Sequence, residues 1–558
     1  MINLAFNTLL VLYLFAPFGV ILQKKNLNNF IDFSKLLINC SIIICFICLS
    51  LNFFFSINKF ITTVFLIIPI YIILKYRKVF FSFDYLKFIL ISSFLLFFLI
   101  VESNVYRPDA GLYHLPYIKI LNEEKIVFGL SNLHFRYGHV SIIQYFSAFS
   151  NNFIFGSNGI VFAQGIIAVA IILNFLSYLY NYNKSKIYNL HFFYILFFSI
   201  YIFYKMIRYS EYGNDASAHF IFFFLVSEIL KNKKFNINDF LYWLIIAVFI
   251  ALNKTTMLLS FLLLIPFVFK IKIKEILKNR KFYFCIIFFV LWMIKSLIVS
   301  GCLIYPIKSS CLKNLSWTNI DHVIKVSSDS EVWAKAWPEY RSSIGSDEKP
   351  LSNEEYLQNF RWLSYWSIKH LKYIINLLTP YILFNLILFF LLRIIYKNKN
   401  YNTFSVDNIN FKLLTLIGIA ILIWFLKSPI YRYGYSYIIS FISFIFAIIF
   451  YKNFSNLNLK KTTNILLALF LVIFFSKNSL RIFNNDNAYF NYPWPKYYSL
   501  KINNEIPKYK EYKLNKVKFY SPINGYCMYN RNLCTNYESI LKEIKIYKKY
   551  NYMLIVHK

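Results

Sequence analysis

The chain predicts an all-α polytopic membrane protein of about fourteen transmembrane helices, followed by a small extracytoplasmic α/β region. Three observations lead there. Of the 558 residues, 58% are hydrophobic and 21% aromatic, with a mean hydropathy of +0.51. Only 15% are charged, against roughly 25% in soluble proteins. Apolar runs close to the ~20 residues that cross a bilayer recur from Asn3 to Phe475, with short basic clusters between them.

Taken in order, spans are expected at 2–22, 36–56, 60–74, 84–101, 158–180, 188–206, 216–230, 239–253, 256–269, 282–300, 373–394, 409–426, 436–451 and 463–477. The first, MINLAFNTLLVLYLFAPFGVIL, lacks a basic start and an A-x-A-like cleavage site, so it reads as a retained span. Basic clusters fall at Lys24–Lys25, Lys75–Lys78, Lys184–Lys186, Lys231–Lys234, Lys270–Lys281, Lys397–Lys399 and Lys452–Lys461. If all of these face the cytoplasm, two spans separate each from the next. The loops 102–157 and 301–372, the short turns 207–215 and 427–435, and the tail 478–558 then lie outside. The expected location is the inner (cytoplasmic) membrane of a bacterium, and the lipid bilayer is the first expected partner. The same clusters, with the Lys- and Asn-rich usage of an AT-rich genome, account for much of the formal charge of +35. No recognition motif accompanies that charge, so nucleic acid is not an expected partner.

Cysteine placement agrees with this topology. Cys302 and Cys311 in GCLIYPIKSSC, and Cys527 and Cys534 in CMYNRNLC, fall on the proposed outer side, where disulfides persist. Two short-range disulfides are expected, although connectivity does not follow from sequence alone. Cys40, Cys45, Cys48 and Cys285 sit inside spans as small apolar residues. The outer pairs contain no C-x-x-C, which argues against zinc. With only 13 glycines there is no phosphate-cradling loop, nor any nucleotide or flavin motif. A divalent cation is left open as a cofactor. The transmembrane domain is expected over 1–477 and a separate domain over 478–558, where KVKFY and YMLIV alternate as strands do.

The candidate chemistry begins at RPDAGLYHLPY, just beyond the fourth span. Asp109 there has two readings: a helix N-cap, or a carboxylate placed at membrane level for function. Leu112, Leu115, Ile118, Ile120 and Leu121 fall near helical spacing, predicting an amphipathic helix over 111–126 in the outer interface. His114, His134, Arg136 and His139 share the same loop. Glu211 and Asp215 lie in a second outer segment, with His219 one turn beyond Asp215, spaced to bind a metal, to share a proton, or only to cap and line the interface. Lys254, Lys427 and Arg432 are basic on the outer side, against the usual bias; they either snorkel or hold a phosphate. Trp317, Trp333, Trp337, Trp362 and Trp366, with Arg341 and Arg361, fill the 301–372 loop, where the tryptophans suit either sugar stacking or an interfacial belt, and the belt is the simpler expectation.

Outer carboxylates beside outer cations meet a specific chemical need. A carboxylate can take the proton of an acceptor hydroxyl, and cations can neutralise charge growing on a departing phosphate. In this respect residues 84–435 resemble the GT-C superfamily of integral-membrane glycosyltransferases. RPDAGLYHLPY, LHFRYGH, YGND and SGCLIYP also resemble stretches of a group of bacterial multi-pass proteins of this build. The resemblance implies that Asp109 is the first-loop catalytic acid and Asp215 the second acidic position, and that Lys254 and Arg432 contact the carrier phosphate. It implies a polyprenyl-phosphate-linked sugar as donor and a cell-envelope glycan or lipid as acceptor. The chain departs from the superfamily in placing its acidic loop after the fourth span instead of the first. A polysaccharide polymerase or ligase, a transporter or flippase, and a non-catalytic assembly protein remain the alternatives.

The topology makes one direct prediction. A reporter fused at Lys558 should report an extracytoplasmic C-terminus; activity of a cytoplasm-only reporter there would invert the assignment.

Overall fold

The computed structural model describes residues 2–23, 27–101, 108–205, 213, 215–231, 235–337, 351–397, 408–483 and 507–558. Glu211 and Arg341 lie outside these described residues. Helix covers most of every segment expected to span. Among the described residues nine helices are long and apolar enough to cross a membrane: Ile2–Ile21, Phe30–Asn52, Phe83–Ile100, Gly156–Ser185, Arg280–Ser300, Trp362–Ile395, Asn408–Lys427, Tyr431–Phe454 and Lys460–Phe483. Leu190–Phe203, Ile237–Asn253 and Thr255–Val268 are shorter apolar helices. This is a multi-pass helical membrane protein.

Burial sorts these helices into a centre and a rim. The apolar window of Gly156–Ser185 is 94% buried, whereas that of Asn408–Lys427 is 22% buried. Composition explains the difference. The central helix carries Ala163, Gly165, Ala168 and Ala170, and small residues let helices approach closely where no water drives them together. A Cβ on Gly165 would stand 2.6 Å from Leu96 Cδ1 of the Phe83–Ile100 helix. The abundant asparagine has a local use: Asn29, Asn58, Asn236 and Asn279 each cap a helix start by accepting a backbone N–H.

The bundle also holds a largely buried ion pair that sequence reading missed. Lys35 Nζ and Glu228 Oε2 are 2.5 Å apart, joining the Phe30–Asn52 helix to Asp215–Lys231. Glu228 is thirteen residues from Asp215, about 20 Å along that helix. The two charged regions therefore occupy opposite ends of the bundle.

The C-terminal region contains two antiparallel hairpins. Strand β1 (Tyr509–Leu514) pairs with β2 (Val517–Pro522), and β3 (Ile544–Lys549) pairs with β4 (Tyr552–His557). Asn515–Lys516 and Tyr550–Asn551 form the two-residue turns, and all four residues have positive φ, as type I′ hairpin turns require. The disulfides Cys302–Cys311 and Cys527–Cys534 are both formed.

Two expectations need correction. The 111–126 stretch does form a helix, Leu115–Glu123, but it does not lie open on a membrane surface. Tyr117, Ile118 and Leu121 are buried, with this helix packed on Ile143–Ser150 and the C-terminal region covering the residues around it. Met528 N–H donates to Gly111 O at 2.9 Å, Tyr137 OH to Cys534 O at 2.7 Å, and Phe128 exchanges backbone bonds with Met553 and Ile555. Nor do the tryptophans form a simple interfacial belt. Trp362 and Trp366 are buried, Trp366 donating to Pro429 O at 2.9 Å, and Trp317 donates to Leu297 O at 3.1 Å.

Gly111 is a tight point of this cover, since a Cβ there would meet Met528 Sδ at 2.6 Å and Tyr526 Cβ at 2.9 Å. Gly111→Val should destabilise the protein by about 1–3 kcal/mol through overpacking. Gly111→Ala should cost less, because the methionine can yield. Thermal unfolding in detergent checks the order; equal melting temperatures for both variants and the wild type would show that the contact is slack.

Candidate functional site

The Asp215–Lys231 and Ile237–Asn253 helices are consecutive, so the first residue of one comes beside the last residue of the other. Asp215 opens the first helix and Lys254 follows the second, each charge matching the dipole of the helix end it occupies. Lys254 Nζ lies 2.5 Å from Asp215 Oδ1. Lys254 takes extended backbone angles, which break the chain between the Ile237–Asn253 helix and the 3₁₀ turn Thr255–Leu264 and hold the side chain at the junction.

Arg432, one residue into the Tyr431–Phe454 helix, completes the charge cluster. Both of its terminal nitrogens are 3.4 Å from Asp109 Oδ2, and its Nε is 4.0 Å from Asp215 Oδ2. The guanidinium lies 5.3 Å from the Trp333 ring and 5.1 Å from that of Tyr433, and Lys254 lies 3.8 Å from the latter. Asp109, Arg432, Asp215 and Lys254 thus form one chain of alternating charge, brought together from four separate stretches of sequence.

These residues line a cavity of about 930 Å³ at the end of the bundle covered by the C-terminal region. All eight residues selected as catalytic or substrate-binding reach it: Asp109, His114, Arg136, His139, Asp215, Lys254, Lys427 and Arg432. Lys427 is mostly exposed, and its Nζ lies 3.6 Å from Glu331. His114 is buried, with the Gln144 side-chain amide donating to its Nδ1 at 3.1 Å. Burial pushes its pKa down to about 4, and the Asp109 and Asp215 charges only partly oppose that. Burial, aided by Arg136, brings His139 down to about 3. Both imidazoles are therefore neutral at pH 7.

Two site readings change here. Asp109 makes no capping hydrogen bond; its backbone is already helical, and its carboxylate turns to Arg432. His219 does not pair with Asp215 for a metal or a proton. Its Nε2 donates to Arg432 O at 2.9 Å, which leaves Nδ1 to accept from Ser436 Oγ at 2.7 Å. His219 thus holds the backbone of Arg432. Among the described residues no three His, Cys, Asp or Glu side chains come together to hold a metal ion.

Sequence reading missed several wall residues, including Glu331, Tyr305 and Tyr433, and did not place Trp333 and Trp337 in a site. A signal was present for some of them. Ser327, Ser330, Glu331, Trp333 and Trp337 recur three and four apart, so they form one face of the Ile320–Ala336 helix and the residue after it. Arg361 is exposed and does not line the cavity.

No curated protein and no solved structure matches the chain. One family model does, over residues 1–439, with the description "Domain of unknown function (DUF8201)". The matched stretch contains all eight cavity residues, from Asp109 to Arg432, and stops before the C-terminal hairpins. A match over most of the chain establishes membership: the protein belongs to the DUF8201 family.

Proposed function

We propose that the protein is an integral-membrane glycosyltransferase of GT-C type. It transfers a sugar from a polyprenyl-phosphate-linked donor to a cell-envelope glycan or lipid acceptor, on the extracytoplasmic side of a bacterial inner membrane. The observation that carries this reading is the convergence of Asp109, Arg432, Asp215 and Lys254 on a single cavity. About fourteen crossings belong to the same reading, reached when the three shorter apolar helices and the helical stretches 59–75 and Asp215–Lys231 are counted with the nine long ones.

The two carboxylates are not equivalent. Asp215 is tied to Lys254 at 2.5 Å and also faces Arg432, so its charge is spent on holding two cations in place. Asp109 has one longer contact, at 3.4 Å, and about a third of its side chain is open to the cavity. Asp109 is therefore the general base. It takes the proton of the acceptor hydroxyl as that oxygen bonds to the anomeric carbon. The bond from that carbon to the phosphate oxygen breaks, and its electron pair leaves with the polyprenyl phosphate. Lys254 and Arg432 stabilise the charge that grows on the departing oxygen. The polymerase or ligase alternative rested on Arg341 and Arg361; Arg361 is exposed and outside the cavity, and Arg341 lies outside the described residues.

Two substitutions separate the roles of the carboxylates. Asp109→Asn should lower glycan product in membranes by roughly 10²-fold or more, while the protein keeps its melting temperature, because a half-exposed ion pair contributes at most about 1 kcal/mol. Near-wild-type turnover would remove Asp109 from the mechanism. Asp215→Asn should lower activity and also destabilise the protein by about 2 kcal/mol, since it leaves Lys254 buried without its counter-charge. That is below the ~3–5 kcal/mol of a fully buried pair because Asp215 is a third exposed. An unchanged melting temperature for Asp215→Asn would contradict the positioning role.

A further inference from the structure

Three of the four cations around the cavity are already answered by a carboxylate: Lys254 by Asp215, Arg432 by Asp109 and Lys427 by Glu331. Arg136 is the exception. Among the described residues its guanidinium has no carboxylate within 4.0 Å and no hydrogen bond; it lies 4.9 Å from the Phe135 ring and 5.7 Å from that of Tyr113. A guanidinium presents five donors in a planar fork that matches the oxygens of a phosphate. Leaving that fork unused in a partly buried wall is costly unless a ligand fills it.

The wall beside Arg136 is unsatisfied in a second way. His139 Nε2, Ser141 Oγ and Tyr305 OH are buried and have no hydrogen-bond partner. All three residues line the cavity, and the His139 and Tyr305 rings are 5.2 Å apart. Tyr305 packs on Gly138, where a Cβ would come within 2.7 Å of its ring, so the glycine allows the phenol to sit against this loop. Unpaired buried polar atoms are uncommon, and three on one wall call for an explanation. The neutral state of His139 leaves Arg136 as the positive charge of this wall.

We infer that Arg136, His139, Ser141 and Tyr305 form a subsite for a phosphate ester of a polyol, with Arg136 on the phosphate and the three neutral groups on ligand hydroxyls. Under the transferase reading, on which only the lipid part depends, this subsite holds the phosphosugar head of the donor before reaction. Lys254 and Arg432 then meet the charge that develops as the bond breaks. The same chemistry could arrive on a lipid or free in solution, and the two sources are separable.

The test uses the full-length chain in detergent and two probes: a sugar-free polyprenyl monophosphate, followed by native mass spectrometry, and soluble glycerol 3-phosphate, followed by calorimetry. The wild type should bind both. Arg136→Gln should weaken both by roughly tenfold or more, and Arg136→Lys by less. Tyr305→Phe should weaken only glycerol 3-phosphate, because the sugar-free lipid has no hydroxyls to lose. Melting temperatures of each variant exclude misfolding as the cause. Wild-type affinity of Arg136→Gln for both probes would overturn the subsite, as would a wild type that binds neither. Binding of glycerol 3-phosphate alone, lost in Arg136→Gln, would uphold the subsite and overturn the polyprenyl donor.

Discussion

The need to pair charges away from water shapes the functional end of this protein. A lone charge in a low-dielectric setting is costly, and removing one partner of a buried pair is more damaging than never having had it. Lys254 is buried and can stay charged because Asp215 lies 2.5 Å away. Arg432 bridges Asp215 to Asp109, and His219 fixes the Arg432 backbone from beneath. Four stretches that no local interaction would bring together are thereby held around one cavity. The geometry of each group then depends on its neighbours, so a substitution at one position is felt at the others.

The second constraint comes from above. The segment carrying Asp109, His114, Arg136 and His139 is apolar enough to need cover on both sides, and the C-terminal region supplies the outer one. It does so through backbone bonds at Gly111 and Phe128 and through the loop closed by Cys527–Cys534. The family match ends at residue 439 and contains all eight selected cavity residues, while the C-terminal hairpins lie beyond the matched stretch. The C-terminal region touches the same short segment that presents Asp109, through Met528 on Gly111, which links its packing to the position of the carboxylate.

A division of labour runs through the cavity wall. One part is a set of charges that satisfy one another; the other is a set of groups that nothing among the described residues satisfies. The first part is preorganised and needs no ligand to be stable. The second is incomplete by itself, and its donors and acceptors describe the shape of what would complete it. At the opposite end of the bundle each charge of the Lys35–Glu228 pair has its partner, which is the pattern of an internal tie between helices.

Much of the architecture was legible in the chain itself, because helix formation across a membrane is a local matter. Every backbone polar group must be paired within its own segment, so an apolar run of sufficient length already implies a helix. The same locality made KVKFY and YMLIV readable as strands by their alternation, while the partner strands Tyr509–Leu514 and Ile544–Lys549 were missed: their lysines and tyrosines follow no clean alternation, and pairing with a neighbour decided their state. Of the site, the sequence marked its charged members except Glu331, since ionisable residues beside apolar runs stand out. It did not reveal that Asp109 points at Arg432 instead of capping a helix, that His219 serves a backbone carbonyl, or that Trp333 backs a guanidinium. Those outcomes rest on contacts between residues up to 323 positions apart, and only the packing of the helices determines which distant side chains meet.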